Sequence, residues 1–485
     1  MNKIDWIDQR NLSMLADFYE FTMSNGYLET GMEDKIAYFD MFFRSIPDDG
    51  GFAIMAGVEQ LIEYLKNLRF SDKDLEFLRS KDIFDEKFIE YLRTFRFICD
   101  VWAIPEGTPI FPHEPIVTVR GPVIQAQLIE TMVLLTINHQ SLIATKANRI
   151  VRAAEGRNVI EFGSRRAHSY EAAILGARAA YIGGCIGTAN TIVDRDFNIP
   201  AVGTMAHSWV QMFPTELEAF RAYAKVYPDS CNLLVDTYDT LKEGIPNAIK
   251  VFDEEVVPRG FRPKGIRIDS GDIAYISKEA RKLLDTAGYH DCEIMVSSGL
   301  DEYIIEDLIK QNADIDNFGV GERLITARSE PIFGGVYKLT TIEDNEGNLV
   351  PKIKISENVG KITTPGFKQV YRLFDKDNHK AIADVITLHD ETIDDTKPYD
   401  IFHPLYTWKR KKVENFYAKK LLVRIFDKGE QVYQNPNIHD IKTYCKDQVD
   451  SFWQEVKRFE KPHRYFVDLS LDLWEIKDRL LKENQ

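Results

Sequence analysis

Ile266-Arg267-Ile268-Asp269-Ser270-Gly271-Asp272 is a short apolar strand pattern that ends in polar and turn-forming residues. Side chains alternate between the two faces of a strand, so Arg267 and Asp269 share one face. Charges on a buried or half-buried face are unfavourable unless they are paired or bind a ligand. The pattern is therefore typical of two arrangements: a structural ion pair, or an anion-binding arginine beside a carboxylate that holds hydroxyls or a metal.

Similar patterns recur through the middle of the chain, where short β-rich runs end in Gly, Asp, Ser or Thr and helical patterns follow. The runs lie at 158–162, 185–187, 201–204, 232–236, 265–269, 294–297 and 317–319. Strands that alternate with helices predict a parallel sheet and an α/β fold. The number of runs favours an irregular (β/α) barrel over an open sheet. In a barrel, polar residues at the carboxyl ends of the strands form the site of chemistry.

The flanking regions have other patterns, and the whole chain is predicted to divide into four regions. Residues 1–122 mix helical and extended patterns and predict an N-terminal α/β domain. Residues 123–330 form the barrel domain. Residues 331–390 predict a β-rich segment that could pack with the N-terminal domain, and residues 391–485 predict a mostly helical C-terminal region.

Bulk properties restrict the class of protein. The chain has 485 residues and a formal net charge of −15, which disfavours nucleic-acid binding because that needs a basic surface. The five cysteines are dispersed without a CxxC pair, which predicts free thiols in a reducing compartment. The first 15 residues lack the apolar core of a secretory signal, and no apolar stretch is long enough to cross a bilayer. We therefore expect a cytoplasmic protein that binds no membrane.

His207 lies in the segment Gly203-Thr204-Met205-Ala206-His207-Ser208-Trp209, directly after one of the runs. Small neighbours would leave its ring nitrogens accessible to a ligand. A histidine with satisfied interior contacts is the commoner alternative, and the segment alone does not decide between them.

Two further segments have residues suited to a phosphorylated, planar ligand. In Asn317-Phe318-Gly319-Val320-Gly321, the two glycines would let backbone N–H groups approach a phosphate at a helix N-terminus. In 161–166, Phe162 could stack on a planar ring and Arg165 could bind phosphate, or Phe162 could belong to the core.

Asp236 and the segment Ser297-Ser298-Gly299-Leu300-Asp301 add a carboxylate, hydroxyls and a glycine at the ends of two more runs. Each could equally serve as a turn or a helix cap.

Other classes of enzyme need signatures that this sequence lacks. It has no GxxxxGK[ST] loop, no HExxH, no GxGxxG opening a βαβ unit and no GxSxG elbow. A barrel aldolase (a lyase) would need a lysine at a strand end, and a metal-dependent hydrolase would need clustered histidines. A non-catalytic acidic scaffold explains the composition but not so many polar strand ends.

Taken together, these segments resemble the nicotinate phosphoribosyltransferase family, a type II phosphoribosyltransferase family. The resemblance covers about residues 10–390 and is carried by these motifs: LADFYEFTMSNGYLETG, FDMFFRSIP, FGSRRAHS, GGCIGTANT, GTMAHSW, LLVDTYDT, IRIDSGD, SSGLDE, FGVG and KISENVGKITTPGFKQVYR.

The resemblance implies an ATP-coupled, ligase-type reaction of NAD salvage. Nicotinate and 5-phosphoribosyl 1-diphosphate give nicotinate mononucleotide and pyrophosphate, while ATP is hydrolysed. It also implies Mg²⁺ as cofactor, ATP as co-substrate and a homodimer with sites at the subunit interface. A nicotinamide or quinolinate phosphoribosyltransferase of the same superfamily remains the nearest alternative.

The resemblance also implies roles for individual residues. His207 matches the histidine that ATP phosphorylates, and Phe162 and Tyr19 match the residues on the two faces of the pyridine, Tyr19 being donated by the partner subunit. The other implied positions are Thr204 and Arg165 at the nicotinate carboxylate and a nearby phosphate, Arg267 and Asp269 at the phosphoribosyl diphosphate, and Asp236 at the ribose or, with Asp269, at magnesium. Gly299, Gly319 and Gly321 match backbone contacts to the 5-phosphate, and Ser298 is a further substrate-binding position.

Two local features bear on these implied roles. The relative that uses nicotinamide carries an aspartate where this chain has Ala189, and the missing carboxylate favours the acid over the amide. After Gly321, this chain continues with Glu322 and Arg323, whereas relatives often have a small residue. Glu322 is therefore expected to point away from a phosphate or to pair with Arg323.

Overall fold

The computed structural model describes residues 11–484 and consists of two compact units. The first unit contains the chain up to Leu142 together with the chain from Ile332 onward, and the second unit is Ile143–Pro331. The expectation that the first 15 residues lack a secretory signal concerns mainly residues 1–10, which lie outside the described part. Among the described helices, none is both long enough and apolar enough to cross a bilayer.

The α-helices occur throughout both units. They are α1 Phe18–Glu29, α2 Val58–Asn67, α3 Asp72–Arg79, α4 Glu86–Arg93, α5 Val123–Gln127, α6 Glu130–Ala153, α7 Tyr170–Ile182, α8 Thr191–Phe197, α9 His207–Gln211, α10 Glu216–Val226, α11 Ile245–Val251, α12 Ile273–Thr286, α13 Glu302–Lys310, α14 Glu322–Ile325, α15 Ile438–Asp450 and α16 Leu471–Glu483.

The strands form separate sheets in the two units. They are β1 Ile36–Phe42, β2 Ala53–Ile54, β3 Asp100–Ala103, β4 Pro109–Ile110, β5 Val117–Pro122, β6 Asn158–Glu161, β7 Gly187–Thr188, β8 Asn232–Leu234, β9 Gly265–Ile268, β10 Glu293–Ser297, β11 Asn317–Val320, β12 Val336–Glu343, β13 Leu349–Pro351, β14 Lys368–Asp375, β15 Ala381–Leu388, β16 Tyr399–Phe402, β17 Arg410–Val413, β18 Phe416–Lys420, β19 Val423–Asp427, β20 Glu430–Gln431 and β21 Phe466–Leu469.

The second unit is built around a six-stranded parallel sheet in the order β7-β6-β11-β10-β9-β8. Strands β8 and β11 are buried along their whole length, as expected for a sheet covered by helices on its faces. The predicted parallel α/β sheet is confirmed. Closure into a barrel by hydrogen bonds between strands is not observed within residues 11–484.

The predicted run at 201–204 contributes only one residue to this sheet. Ala201 forms a parallel bridge with Thr188, and the Val202 amide donates to the Thr188 carbonyl over 2.8 Å. The segment leaves the ladder at Gly203. It extends the β7 edge by a single bridge and leads directly to α9.

Several polar residues at the ends of the runs cap the helices that follow. Asp272 accepts a hydrogen bond from the Tyr275 amide, and Asp301 accepts one from the Ile304 amide. A side-chain acceptor satisfies an amide that has no partner inside the helix. For Asp301, the helix-cap interpretation is correct.

The first unit contains a seven-stranded sheet in the order β13-β12-β1-β5-β3-β19-β20. Strand β1 pairs antiparallel with β5 on one side and with β12 on the other. A second sheet has the order β18-β14-β15-β21, in which β14 and β15 are almost fully buried. The strands β12 to β15 therefore belong to the same unit as the N-terminal residues.

The expectation of a mostly helical region at 391–485 is wrong. This part contains six strands, β16 to β21, and only two α-helices, α15 and α16. The strand segments are short, and β17 reads as a basic surface stretch because three of its four residues are exposed. Pairing with β16 makes it a strand, and that partner cannot be inferred from local periodicity.

A buried ion pair ties the second sheet of the first unit together. The Arg372 guanidinium donates to both carboxylate oxygens of Asp384 over 2.8 and 2.6 Å, and the Tyr465 hydroxyl donates to Asp384 over 3.0 Å. Arg372 and Asp384 are fully buried, so the bidentate geometry compensates their loss of hydration.

Candidate active site

His207 lies at the start of α9, between the two edges of the parallel sheet. Its Nδ1 is 3.1 Å from the Thr237 hydroxyl oxygen, which follows β8, while α9 follows the segment attached to β7. Its Nε2 faces a carboxylate oxygen of Asp269 at 4.0 Å. The side chain is 40% exposed, so a ligand can reach the ring. The imidazole therefore lies between the segments that follow the two edge strands, β7 and β8, which do not pair with each other in the described chain.

Arg267, Asp269 and Ser297 form a polar network across the ends of β9 and β10. Arg267 donates through Nε to the Ser297 hydroxyl over 3.1 Å and through Nη2 to Asp269 over 3.1 Å. The Ser297 hydroxyl in turn donates to the same Asp269 oxygen. The structural ion pair that the sequence allowed is present, and Arg267 keeps further donors that a ligand anion could use.

Asp236 fixes the turn that follows β9. One of its carboxylate oxygens accepts from the Asp269 amide over 2.9 Å and from the Ser270 hydroxyl over 2.6 Å. The other oxygen is buried and has no hydrogen-bond partner within the described residues. A buried acceptor without a partner is costly, so this oxygen is poised to accept from a ligand hydroxyl or to bind a cation.

Phe162 follows β6, and its ring lies against Gly319 and Arg267. A Cβ atom on Gly319 would be only 2.6 Å from Cδ2 of Phe162, so glycine at this position makes room for the ring. The guanidinium carbon of Arg267 lies 5.5 Å from the ring centroid. The geometry assigns Gly319 a packing function beneath the ring, because its backbone is part of the sheet between β6 and β10.

The loop after β10 adopts a strained backbone conformation. Ser298 has a φ of 108° and Gly299 a φ of 60°, and both residues are exposed. A non-glycine residue at positive φ is uncommon and is concentrated at functional sites. The strain supports a binding role for this loop.

The loop after β11 leads through Gly321 into the short helix α14. Arg323 pairs with Asp301, whereas Glu322 pairs with Arg328 at 3.1 Å. The alternative in which Glu322 pairs with Arg323 is therefore wrong, because Asp301 occupies that arginine. The Asp301–Arg323 pair links the loop after β10 to the loop after β11.

Thr204 and Arg165 lie on the segments that flank His207 and Phe162. The Thr204 hydroxyl is buried without a hydrogen-bond partner within the described part of the chain. Arg165 lies on a 3-10 helix, Ser164–Arg166, and is exposed. These groups provide an unsatisfied hydroxyl and an accessible cation for an anionic ligand.

Tyr19 belongs to the other compact unit, where it lies on α1 and is 43% exposed. All other predicted site residues lie in the second unit, after strands of the parallel sheet or, for Arg267 and Gly319, on one of them. Burial and the nearby Glu130 raise the pKa of the Tyr19 hydroxyl above its ordinary value, so this phenol stays neutral.

The sequence patterns assigned no individual role to three residues of the site: Thr237, Ser270 and Ser297. Each directly follows or ends a predicted run, so its location was visible, but its partner lies on another segment of the chain. Within residues 11–484, no three His, Cys, Asp or Glu side chains are grouped to hold a metal ion alone. None of the five cysteines, all within residues 11–484, forms a disulfide, which agrees with the predicted thiols, and all five are buried.

The fold and the site define an α/β enzyme whose ligand groups lie at the carboxyl ends of parallel strands. Three family models match the chain: the nicotinate phosphoribosyltransferase N-terminal domain at residues 14–138, the nicotinate phosphoribosyltransferase family at 158–380, and the C-terminal domain at 367–477. The chain belongs to the nicotinate phosphoribosyltransferase family.

Individual members of the family are similar to this protein over nearly its whole length. Nicotinate phosphoribosyltransferase of Bacillus subtilis (strain 168) is 47% identical over 98% of this chain and 96% of its own length. The Caenorhabditis elegans enzyme of the same name is 32% identical over 97% and 93%. The crystal structure of human nicotinic acid phosphoribosyltransferase superposes with a TM-score of 0.85 at 26% identity, over 96% of this chain and 99% of that one.

Proposed function

We propose that this enzyme transfers the phosphoribosyl group of 5-phosphoribosyl 1-diphosphate to nicotinate, giving nicotinate mononucleotide and pyrophosphate. The transfer is coupled to ATP hydrolysis through phosphorylation of His207. The observation that carries the proposal is the position of His207, which faces Asp269 and Thr237 at the carboxyl ends of the parallel strands. This placement brings a reachable imidazole beside groups suited to a phosphorylated sugar.

Charge separation at the ribose explains the residue types around it. Breaking the bond between C1 and the diphosphate develops positive charge on the sugar and negative charge on the leaving group. Arg267 is fixed by Ser297 and Asp269, so its guanidinium is already oriented when charge develops. No protein nucleophile is needed on the sugar, because the nicotinate ring nitrogen attacks once it is positioned.

Hydroxyl groups of the ribose find acceptors at Asp236 and Asp269. The buried Asp236 oxygen without a protein partner would accept a hydrogen bond from a sugar hydroxyl. The loops at Ser298, Gly299 and Gly321 would hold the 5-phosphate by backbone N–H groups.

Magnesium fits the same carboxylates. Mg²⁺ binds proteins through one or two carboxylates together with substrate phosphates and water. Such a site does not need a group of three protein ligands, and none is found in the described chain. Asp236 and Asp269 would hold the ion, and it would neutralise charge on the diphosphate. One Asp236 oxygen remains hydrogen-bonded to the Asp269 amide in the turn after β9, which keeps that carboxylate in place.

Phosphorylation of His207 requires an unprotonated ring nitrogen that the ATP γ-phosphate can reach. The Thr237 hydroxyl contacts Nδ1 of His207, and this contact orients the ring at the carboxyl ends of the strands. We infer that the phosphorylated form tightens substrate binding and that its hydrolysis releases product and resets the site.

The choice of base depends on residues near Phe162. Phe162 would stack on one face of the pyridine, while Thr204 and Arg165 would bind the carboxylate and a nearby phosphate. Ala189 is exposed at the end of β7 and has no carboxylate that would repel nicotinate. The exposed Tyr19 of a partner subunit would cover the other face, which implies a homodimer.

We also propose a cytoplasmic location, because the five cysteines form no disulfide and a reducing compartment keeps thiols in that state.

One assay tests the reaction and its alternatives. Pyrophosphate release from 5-phosphoribosyl 1-diphosphate is measured with nicotinate, nicotinamide or quinolinate, each with and without ATP and Mg²⁺. We expect release with nicotinate, stimulation by ATP and loss of activity with a chelator. Preferential release with nicotinamide or quinolinate would reject the assigned base, and equal rates with and without ATP would reject the coupling.

A further inference from the structure

Glu161 is a buried carboxylate at the end of β6, directly before Phe162, and it has no place in the chemistry described above. It is fully buried, and both of its oxygens are engaged. One accepts from the Gly163 amide, and the other accepts from the Thr188 hydroxyl over 2.6 Å. A buried acid without a counter-charge is rare, so its retention at this point needs an explanation.

The contacts of Glu161 connect the two turns that border the Phe162 ring. The Gly163 amide belongs to the turn after β6, and Thr188 ends the neighbouring strand β7. The Thr188 hydroxyl also accepts from the Asn190 amide over 3.1 Å, and the Ala189 amide donates to the Glu161 carbonyl over 2.9 Å. The Glu161 side chain thus holds the Gly163 amide directly and the Asn190 amide through Thr188, while the Glu161 backbone carbonyl holds the Ala189 amide.

We propose that Glu161 is a positioning residue that sets the Phe162 ring and the Ala189 turn for the pyridine base, acting through Thr188 and Gly163. This inference rests on the proposed function, since it assumes that Phe162 and Ala189 border the base. Glu161 touches no substrate itself. Both side-chain hydrogen bonds of Glu161 go to the ends of β6 and β7, and neither goes to the loops after β9, β10 and β11 assigned to the phosphoribosyl diphosphate. We therefore expect its main effect in the base half of the site.

The surrounding packing explains why the two turns need such a tie. A Cβ atom on Gly163 would lie 2.6 Å from Cβ of Ile325, so this turn is pressed against α14 and has little room to shift. Burial raises the pKa of the Glu161 carboxyl above its ordinary value, while the hydrogen bonds from Thr188 and Gly163 oppose the shift. Such a buried, satisfied network specifies one backbone geometry, whereas a broken one leaves unpaired groups.

Four variants separate a positioning role from a purely stabilising one. Glu161→Leu and Thr188→Val remove the hydrogen bond between these two side chains while keeping similar volume. Glu161→Gln and Thr188→Ser keep groups that can form it. For each variant, the KM for nicotinate, the KM for 5-phosphoribosyl 1-diphosphate, kcat and the thermal midpoint are measured. Glu302→Gln serves as a control, because Glu302 is another fully buried acid of the same unit, bonded instead to Lys146 and Arg149.

We expect Glu161→Leu and Thr188→Val to raise the KM for nicotinate about tenfold and to change the KM for 5-phosphoribosyl 1-diphosphate less than about twofold. Glu161→Gln and Thr188→Ser should keep both constants near those of the parent. The double variant Glu161→Leu/Thr188→Val should raise the nicotinate KM no further than either single change, because one network is broken only once.

Three outcomes would overturn the proposal: equal changes in both KM values, a change in thermal midpoint alone, or the same nicotinate KM shift in Glu302→Gln. If Glu161→Leu fails to fold, Thr188→Val decides the question, because valine matches threonine in shape. Failure of the proposed function is distinguished beforehand, since the parent enzyme would then release no pyrophosphate with nicotinate.

Discussion

His207 and Thr237 are joined by a 3.1 Å contact between Nδ1 and the hydroxyl oxygen, although they follow opposite edges of the parallel sheet. Strand pairing does not connect those edges within residues 11–484, so side chains provide the link at the carboxyl ends. A residue that both spans the gap and remains 40% exposed can respond to a ligand without disturbing a strand ladder.

Replacing His207 with alanine should abolish the stimulation of transfer by ATP, because it removes the proposed phosphate acceptor beside Thr237 and Asp269. Incorporation of label from γ-³²P-ATP into the protein should disappear at the same time. Thr237→Ser, which keeps the hydroxyl next to Nδ1, should retain labelling and stimulation. Full ATP stimulation in His207→Ala would show that the coupling uses another group.

Gly319→Ala should weaken nicotinate binding, because its Cβ would lie 2.6 Å from the Phe162 ring and displace it. We expect the KM for nicotinate to rise about tenfold, in line with the loss of one aromatic stacking contact. Gly321→Ala is the matched comparison, since its nearest contact is an ordinary 3.4 Å to the Phe162 carbonyl oxygen. That variant should affect the KM for 5-phosphoribosyl 1-diphosphate instead. An unchanged nicotinate KM in Gly319→Ala would argue against the proposed stacking of Phe162 on the pyridine.

Ala189→Asp should shift the preference from nicotinate toward nicotinamide. A second carboxylate near that of nicotinate would repel it by about 1–4 kcal/mol, depending on local hydration. The same carboxylate could accept a hydrogen bond from an amide. Comparing kcat/KM for both bases measures the shift, and Ala189→Asn controls for size without charge. If both variants reduce nicotinate turnover equally, bulk rather than charge is responsible.

Asp468→Asn should stabilise the protein more at pH 8 than at pH 5. Asp468 is buried on β21, and burial raises its pKa to about 7. Its unfolded pKa is about 3.9, so the favourable contribution is complete below that pH and is lost as the pH rises through 7. Thermal midpoints at the two pH values test this prediction, with the exposed Asp447→Asn as control. An identical gain at both pH values would mean that titration of Asp468 is not the cause.

The alternation of runs and helices was sufficient to predict the parallel sheet, because buried parallel strands carry a strong local pattern. It was not sufficient for the run at 201–204, where the chain leaves the ladder after one bridge at Ala201. The hydroxyl of Ser297 and the pairing of Arg323 with Asp301 could not be predicted either, since both depend on which strand lies alongside. Polar strand ends identify where a site lies, and the order of strands decides which side chains meet.

The strands of 399–431 illustrate the same limit in the other unit. Their short, basic and aromatic segments carry no clear period, and their pairing partners supply the regular structure. Tertiary pairing determines such strands more than intrinsic preference does.

The antiparallel pairing of β1 with β12 has a consequence for synthesis on the ribosome. Phe39 finds its partner Leu339 only after the whole second unit has been made, because that unit lies between them in the chain. Until then the nascent β1 exposes one row of unpaired backbone groups, and exposed strand edges promote aggregation. We therefore expect chains that stop between Pro331 and β12 to precipitate or recruit chaperones. Chains extended beyond Glu343 should close this edge of the sheet, while the edge at β3 stays open until β19 has been made.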